Sequence, residues 1–201
     1  MRMLVCISVI VLTISCTAFG QAQEAKCREI AQREYPNDPQ MQQYIYDQQV
    51  SAARYMAAVD DPDVKQIALR EYPEDFSMQQ YIYNQQLAAK RYMATVTDSQ
   101  VKQIALREYP NDYSMQKYTY DQQFAAKNYM ASVTDSDVKQ IALREYPNGF
   151  SMQKYTYDQQ LSAKQYMAAM PYDSTKQQAV RGYPNDYTMQ KYIYDQLRRG
   201  R

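Results

Sequence analysis

The long segments of this chain carry apolar residues on two sides of a helix. In the stretch from about Ser151 to Ala169, a helical wheel groups the apolar residues into one broad stripe and a separate second patch. The stripe contains Met152, Tyr155, Ala163, Tyr166 and Met167, and the second patch contains Tyr157, Leu161 and Ala168. Because each apolar side needs a neighbour, the pattern predicts a helix that packs between other helices.

A shorter amphipathic segment precedes each long one. It runs over about residues 138–146 and ends before Pro147, because the residue before a proline is disfavoured in the helical conformation. In the first junction the equivalent start reads Asp61-Pro62, which is an N-cap Asp followed by Pro at the first helical position. The two segments together predict a helical hairpin.

This hairpin unit occurs five times in tandem. Its Tyr-Pro pairs fall 37 residues apart without a slip, at Tyr35-Pro36, Tyr72-Pro73, Tyr109-Pro110, Tyr146-Pro147 and Tyr183-Pro184. One hairpin of this size buries too little surface to be stable alone, so the copies are expected to stack. The predicted fold is an all-α solenoid of five tandem 37-residue helix-turn-helix repeats. The repeats lie at about 27–63, 64–100, 101–137, 138–174 and 175–201, in a single domain over residues 21–201.

Residues 1–20 have the pattern of a secretory signal peptide. A short positive start leads into an uncharged apolar run from Leu4 to Cys16, and small residues precede a cleavage site at Gln21. The apolar run is too short for a membrane span. The sequence therefore predicts export, to the periplasm or to the outside of a bacterial cell. Lipidation at Cys16 is the alternative, because residues 13–16 partly match the sequence that precedes a lipidated cysteine.

Removal of the signal peptide leaves Cys27 as the only thiol, so no internal disulfide can form. Valine occupies the equivalent position in the next three repeats, at Val64, Val101 and Val138. The pattern predicts that Cys27 is a small buried apolar side chain. An intermolecular disulfide is the alternative.

The composition excludes several classes of function. The chain has 23 basic and 22 acidic residues, and loss of Arg2 with the signal peptide leaves 22 of each. Such balanced charge lacks the basic face that nucleic-acid binding needs. The absence of His, with one Cys and three Gly after cleavage, removes His-based catalysis, the commonest metal ligand and Gly-rich phosphate loops. Acidic residues recur once per repeat, whereas an active site is usually unique. We therefore expect no enzyme activity, no cofactor and no metal.

Glutamine pairs recur in the long helices, at Gln48-Gln49, Gln85-Gln86, Gln122-Gln123 and Gln159-Gln160. The wheel places Gln159 in the main apolar stripe, where a buried amide must find hydrogen-bond partners. The nearby Tyr-Pro-Asn loop has backbone groups that need such partners. The prediction is therefore an internal brace, and ligand binding is the alternative.

The tyrosines of the long helices divide into two sets. The first set lies on the main stripe and is expected to pack in the core: Tyr44, Tyr81, Tyr118, Tyr155 and Tyr192. The second set lies on the second patch: Tyr46, Tyr83, Tyr120, Tyr157 and Tyr194. If stacking leaves that patch open, the second set is a candidate binding ladder for protein or sugar. Burial of the second set between repeats is the alternative, which two-sided packing favours.

The segment YPNDYSMQKYTYDQQ resembles a short repeat unit of exported bacterial proteins. In that unit a Trp- or Tyr-Pro, an Asp-aromatic pair, Met-Gln and Tyr are followed by Gln. The resemblance extends from Tyr35-Pro36 to Gln196 and implies no activity. In architecture the chain is similar to tetratricopeptide and Sel1-like arrays, although it lacks their Gly and small-residue pattern, and such an analogy does not assign a function.

The sequence supports three hypotheses for function. The first is a non-enzymatic scaffold that binds protein or peptide partners in the bacterial cell envelope along a repeated surface. The second is binding of cell-wall glycan or peptidoglycan through the tyrosine ladder. The third is an envelope spacer without a specific ligand.

Overall fold

The computed structural model of the protein describes residues 20–200, and every regular element in this range is an α-helix. In chain order the helices are α1 (residues 20–34), α2 (Pro39–Ala58), α3 (Pro62–Glu71), α4 (Phe76–Thr95), α5 (Ser99–Glu108), α6 (Tyr113–Ser132), α7 (Ser136–Glu145), α8 (Phe150–Ala169), α9 (Ser174–Gly182) and α10 (Tyr187–Arg199). The predicted all-α fold of helix-turn-helix repeats is confirmed. Except for Gly20, the predicted signal peptide lies outside the described residues, and so does Cys16.

From α3 onward, each short helix begins at an aspartate and ends at the tyrosine of a Tyr-Pro pair. The aspartate side chain accepts a hydrogen bond from the backbone N–H three residues later, at Asp61, Asp98, Asp135 and Asp173. Pro62 holds the first position of α3, as the sequence predicts. At the other end, the N–H of Tyr146 bonds to the carbonyl of Ala142 at 3.1 Å, and the following proline prevents a further turn. The caps therefore give each short helix its length.

The long helices α2, α4 and α10 also start at an aspartate cap. Asp38, Asp75 and Asp186 each accept a hydrogen bond from the backbone N–H three residues later. Gly149 stands at the equivalent position before α8 and has no side chain that could cap the helix. Its backbone is extended, like that of Asp186.

The described chain divides into two compact units. The first comprises residues 20–94 with Asn111–Ser114, and the second comprises Thr95–Pro110 with residues 115–200. The single domain over residues 21–201 stays a prediction. Within residues 20–200, the structure contains no helix with the length and apolar character that a bilayer span requires.

The core of each unit lies between successive repeats. In the first unit, Met56 of α2 packs with Val64 and Ala68 of α3 and with Tyr83 of α4. The second unit has the same arrangement twice, with Met130, Val138, Ala142 and Tyr157, and with Met167, Ala179 and Tyr194. Each cluster therefore takes its methionine from one repeat and its other members from the next. Within each unit, neighbouring repeats bury each other's apolar sides, as predicted.

Cys27 of α1 is fully buried, with Ile30, Ala52 and Ala53 in the same cluster. This burial raises the pKa of its thiol above the usual value. The environment is that of a small apolar side chain, as the aligned valines predict. A disulfide to another molecule would need a sulfur that solvent can reach, and Cys27 has no exposed surface.

Candidate functional site

The candidate binding ladder predicted from the sequence is largely buried. The exposed fractions of its later members are 1% at Tyr83, 4% at Tyr120, 3% at Tyr157 and 3% at Tyr194, while Tyr46 is half-buried. These residues therefore do not form an open ladder. The alternative, burial between repeats, describes their position.

Contacts within each unit explain this burial. The ring of Tyr157 meets the ring of Tyr129 edge-on, at a centroid distance of 6.1 Å, so a tyrosine of α8 packs against a tyrosine of α6. The backbone N–H of Asp135 donates to the Tyr157 hydroxyl at 3.4 Å. Tyr157 thus fills the space between two repeats and satisfies a loop N–H at the same time.

The tyrosines expected in the core are the exposed ones, so that prediction is wrong. Their exposed fractions are 55% at Tyr44, 54% at Tyr81, 60% at Tyr118, 59% at Tyr155 and 55% at Tyr192. We call these five residues the surface tyrosines. They occupy one equivalent position in five long helices, and the exposure is nearly constant from repeat to repeat.

Buried glutamines explain why the wheel placed part of the stripe on the exposed side. The buried residues of α8 are Gln153, Thr156, Tyr157, Gln160, Ala163 and Met167, which follow one helical stripe. A count of apolar residues gives no weight to glutamine, so it favoured the side that contains Tyr155 and Met152. Of the predicted stripe, Ala163 and Met167 are buried, whereas Met152 is 42% exposed.

The second glutamine of each pair braces the next repeat. Gln160 is 3% exposed; its Nε2 donates to Asp186 at 3.0 Å, and its Oε1 accepts from the backbone N–H of Tyr187 at 2.8 Å. Gln49 makes the equivalent bonds in the first unit, to Asp75 and from Phe76. An internal brace is therefore present, but it belongs to Gln160 and not to Gln159, which is exposed.

A further set of glutamines, which the sequence analysis missed, holds the Tyr-Pro loop within each repeat. The Nε2 atom of Gln153 donates to the carbonyl of Tyr146 at 2.7 Å. Gln79 and Gln116 make the same bond to the preceding Tyr-Pro tyrosine. Each follows the regularly spaced methionine, and that Met-Gln spacing was the available signal.

Charged side chains beside the surface tyrosines are paired with one another. Lys154 and Asp158 form an ion pair at 2.7 Å, and the hydroxyl of Tyr129 donates to Asp158 at 2.5 Å. The hydrogen bond to Asp158 and burial together raise the pKa of Tyr129 to about 12. Burial alone would raise the pKa of Asp158, but the bonds from Lys154 and Tyr129 lower it below its usual value.

The same pairing recurs in the two neighbouring long helices of the second unit. Lys191 pairs with Asp195, and Lys117 pairs with Asp121. The repeated aspartates of these helices are thus structural partners of lysine. Within the described range of the chain, no group of three or more Asp, Glu or Cys residues could hold a metal ion.

An exposed glutamine follows each surface tyrosine by one helical turn. The pairs are Tyr44 and Gln48, Tyr81 and Gln85, Tyr118 and Gln122, Tyr155 and Gln159, and Tyr192 and Gln196. In the first unit the amide of Gln48 donates to the hydroxyl of Tyr44 at 2.6 Å. The next exposed residue on the same side is small, Ser51, Ala88, Ala125 or Ser162. On α10 the equivalent position holds Arg199, which is exposed. The surface is therefore aromatic and amide-rich, with a cation on its last helix.

The chain matches no protein-family model, no curated protein and no solved structure. The chemistry of this surface is therefore the basis on which a function can be proposed.

Proposed function

We propose that the protein is a non-enzymatic scaffold of the bacterial cell envelope that binds protein or peptide partners through its surface tyrosines. The observation that supports this most is the recurrence of a ring 54–60% exposed at the same position of every long helix. Tyr is favoured at protein interfaces, because its ring contributes apolar area while its hydroxyl can hydrogen-bond. A purely structural role would not require an exposed ring at these five positions.

Repetition of the site suits an extended partner. One exposed Tyr-Gln pair offers a small contact, but equivalent pairs on packed neighbouring helices act on the same ligand at high effective concentration. Affinity should therefore rise with the number of repeats engaged. The absence of His from the chain and the lysine-paired aspartates agree with a function that involves no chemical step.

Export is part of the proposal. Its basis is the charged start, the apolar run and the small residues before Gln21. N-terminal sequencing of the protein isolated from the exporting cell would test it. A start at Gln21 is expected, whereas a lipid-modified Cys16 at the N-terminus would select the lipoprotein alternative.

Crosslinking in the exporting cell tests whether the surface tyrosines bind the partner. The test variant changes Tyr118, Tyr155 and Tyr192 to Ala, which removes three exposed rings of the second unit and retains good helix formers. The control variant changes Leu106, Leu143 and Tyr172 to Ala, which removes apolar groups that are 40%, 41% and 75% exposed elsewhere in that unit. Circular dichroism verifies that both variants keep the helical fold.

The expected result is that wild type and control variant capture the same partner and that the test variant loses it. Equal capture by the test variant would contradict the proposed site. Deletion of one internal repeat, residues 101–137, should weaken capture and leave a folded helical protein, because stacked repeats have approximately additive stability. Complete unfolding of that deletion variant would contradict the modular arrangement.

Binding of cell-wall glycan is the second candidate, and the aromatic, amide-rich character of the Tyr-Gln surface favours it. Aromatic rings can stack on sugar rings while amides bond to hydroxyl groups. Sedimentation with purified cell wall tests this candidate. Cosedimentation that the three Tyr→Ala changes abolish would support it, and no cosedimentation of the wild type would exclude it.

A further inference from the structure

We infer that the groove between α5 and the loop before α8 binds a carboxylate side chain of an acidic peptide. The groove has a volume of about 220 Å³ and is lined by Gln100, Gln103, Ile104, Arg107 and Asn148. All five residues belong to the second unit. None of them is a surface tyrosine, so the inference goes beyond the proposed function.

An equivalent groove in the first unit already holds a carboxylate. It lies between α1 and the loop before α4, has a volume of about 280 Å³, and includes Lys26, Arg33 and Glu74 in its lining. The Oε1 atom of Glu74 lies 3.3 Å from Nζ of Lys26, and its Oε2 atom lies 4.0 Å from a guanidinium nitrogen of Arg33. Glu74 therefore shows where a carboxylate can sit in a groove of this kind.

The two grooves are two repeats apart and use the same positions. In the second groove, Gln100 stands for Lys26, Gln103 for Glu29, Ile104 for Ile30, Arg107 for Arg33 and Asn148 for Glu74. The lining of the first groove has two cations and two anions, so its charges balance. The lining of the second groove has one cation, Arg107, and no anion. Its uncompensated positive charge is complementary to a carboxylate that another molecule supplies.

No neighbouring group neutralises Arg107. Within residues 20–200 its guanidinium has no ion-pair partner, and it is exposed. Glu108 follows it in the chain but does not line the groove. Lys127 is the nearest other cation to the groove lining; it pairs with Asp98 at 2.7 Å and donates to Oε1 of Gln100 at 3.4 Å. That bond leaves the Gln100 amide N–H groups as donors.

The lining of the second groove suits a glutamate or aspartate side chain. A guanidinium can hold a carboxylate through two parallel hydrogen bonds. The side-chain amides of Gln103 and Asn148 can donate further bonds to the same oxygens. Ile104 is only 6% exposed and contributes an apolar surface for the methylene groups of the ligand. The groove therefore combines a cation, amide donors and apolar contact in one place.

A chemical-shift titration by NMR tests the inference on isotope-labelled protein purified from the exporting cell. The probe is N-acetyl-glutamate amide, which carries one carboxylate, and N-acetyl-glutamine amide is the uncharged control. Saturable shifts of the side-chain amide signals of Gln100, Gln103 and Asn148 are expected with the first probe only. Added salt should weaken the binding, because the groove is open to solvent. A peptide of about six glutamates should bind more tightly than the single residue, since several carboxylates share one groove.

Removing the cation should weaken binding. Arg107→Gln should lower the affinity for the glutamate probe about fivefold, which is the upper range for an exposed charge pair. Arg91→Gln is the matched control, because Arg91 is an exposed arginine of α4 that lines neither groove. The control should bind as the wild type does. Circular dichroism verifies that both variants remain helical.

Exchanging the residue at the loop position should exchange the behaviour of the two grooves. Asn148→Glu places a carboxylate where Glu74 stands in the first groove, so it should pair with Arg107 and abolish binding to the second groove. Glu74→Asn frees Lys26 and Arg33, so backbone signals of α1 should then shift with the glutamate probe, which they do not do in the wild type.

Several results would overturn the inference. They are equal shifts with the glutamine analogue, unchanged affinity of Arg107→Gln, undiminished binding by Asn148→Glu, or tighter binding of inorganic phosphate than of the glutamate probe. Equal affinity for the single glutamate and the longer peptide would mean that the ligand is a free small acid and not a peptide. The surface tyrosines do not enter this test, so its failure would leave the proposed function to be judged by crosslinking in the cell.

Discussion

Two junctions in the second unit are held by equivalent glutamines, Gln160 and Gln123, which differ in their hydrogen-bond partners. At the junction of α8 and α10, Gln160 bonds both to the Asp186 carboxylate and to the backbone at the start of α10. At the junction of α6 and α8, the equivalent aspartate is replaced by Gly149. Gln123 there accepts a bond from the backbone N–H of Ser151 at 3.1 Å and is 9% exposed, compared with 3% for Gln160.

The difference separates the two roles of this contact. Gly149 has φ −132° and ψ 97°, close to the φ −143° and ψ 95° of Asp186, so the loop keeps its conformation without a carboxylate. The glutamine and the packing of the repeats are therefore sufficient to position the start of the next helix. The aspartate adds stability, because it caps the helix and gives the buried amide an acceptor.

Replacing the glutamine should have the largest effect and should distinguish the two junctions. Gln160→Leu leaves the N–H of Tyr187 and the Asp186 carboxylate without this partner, so a loss of about 3 kcal/mol in the free energy of unfolding is expected. Gln123→Leu removes a single backbone contact and should cost about 1 kcal/mol. Urea titrations of both variants measure the difference. Equal losses in the free energy of unfolding would mean that the hydrogen bond between Gln160 and Asp186 contributes nothing to stability.

Removing the carboxylate alone should have the next largest effect. Asp186→Ala deletes the cap of α10 and leaves the buried Nε2 of Gln160 with only its longer bond, to the Thr188 hydroxyl at 3.3 Å, which should cost about 2 kcal/mol. Gly149→Ala is the matched control at the junction without a carboxylate, and a change within about 0.5 kcal/mol is expected. A large loss in the control would show that the Gly149 loop depends on its glycine.

Adding the missing carboxylate should stabilise the weaker junction. A Cβ built at Gly149 lies 3.9 Å from the Cβ of Met152, which is an ordinary van der Waals contact, so the site has room. Gly149→Asp should raise the free energy of unfolding by about 1 kcal/mol, through a new cap, a bond from Gln123 and a less flexible unfolded chain. Thermal melts that compare Gly149→Asp with Gly149→Ala separate the effect of the carboxylate from the effect of losing the glycine. No gain over the Ala variant would argue against the cap.

The smallest expected effect is on pH dependence. Burial alone would raise the pKa of Asp186, but the bonds from Thr188, the Met189 N–H and Gln160 lower it below its usual value. A carboxyl with a lowered folded pKa stabilises the fold fully above its unfolded pKa of about 4 and loses that contribution as the pH falls through its folded pKa.

Asp186→Asn keeps a capping side chain and removes the charge. It should cost less than about 1 kcal/mol at neutral pH, and the difference from wild type should shrink on acidification. Urea titrations at neutral and acidic pH measure this. A difference that grows in acid would contradict the assigned direction.

Much of the fold was predictable because its determinants are local or periodic. Tyr-Pro pairs and Asp-Pro mark helix ends by backbone chemistry that does not depend on neighbours, so the short helices were predicted within about two residues. The exact repetition predicted that copies pack against each other, and the Met56–Tyr83 cluster confirms this within the first unit. The burial of Cys27 was predictable because valine occupies the equivalent position in the next three repeats.

The binding surface was not predictable in the same way. Glutamine is ordinarily a surface residue, yet Gln153 and Gln160 lie on the buried side of α8. Each can be buried because it forms a hydrogen bond with a backbone group next to a loop. Those partners come from 7 and 27 residues away. A wheel drawn for one helix contains no information about them, and it therefore exchanged the buried and exposed tyrosines.

The sequence by itself determined the period, the helix ends, the all-α class and the absence of His, since each depends on residue identity and spacing along the chain. Only the tertiary structure decided which side of each long helix faces solvent. That choice depends on whether buried amides find partners in neighbouring loops, and it leaves Tyr118, Tyr155 and Tyr192 exposed. A polar group can be buried where bonds to protein groups replace its hydrogen bonds to water. The packing of the repeats determines where such protein groups are within reach.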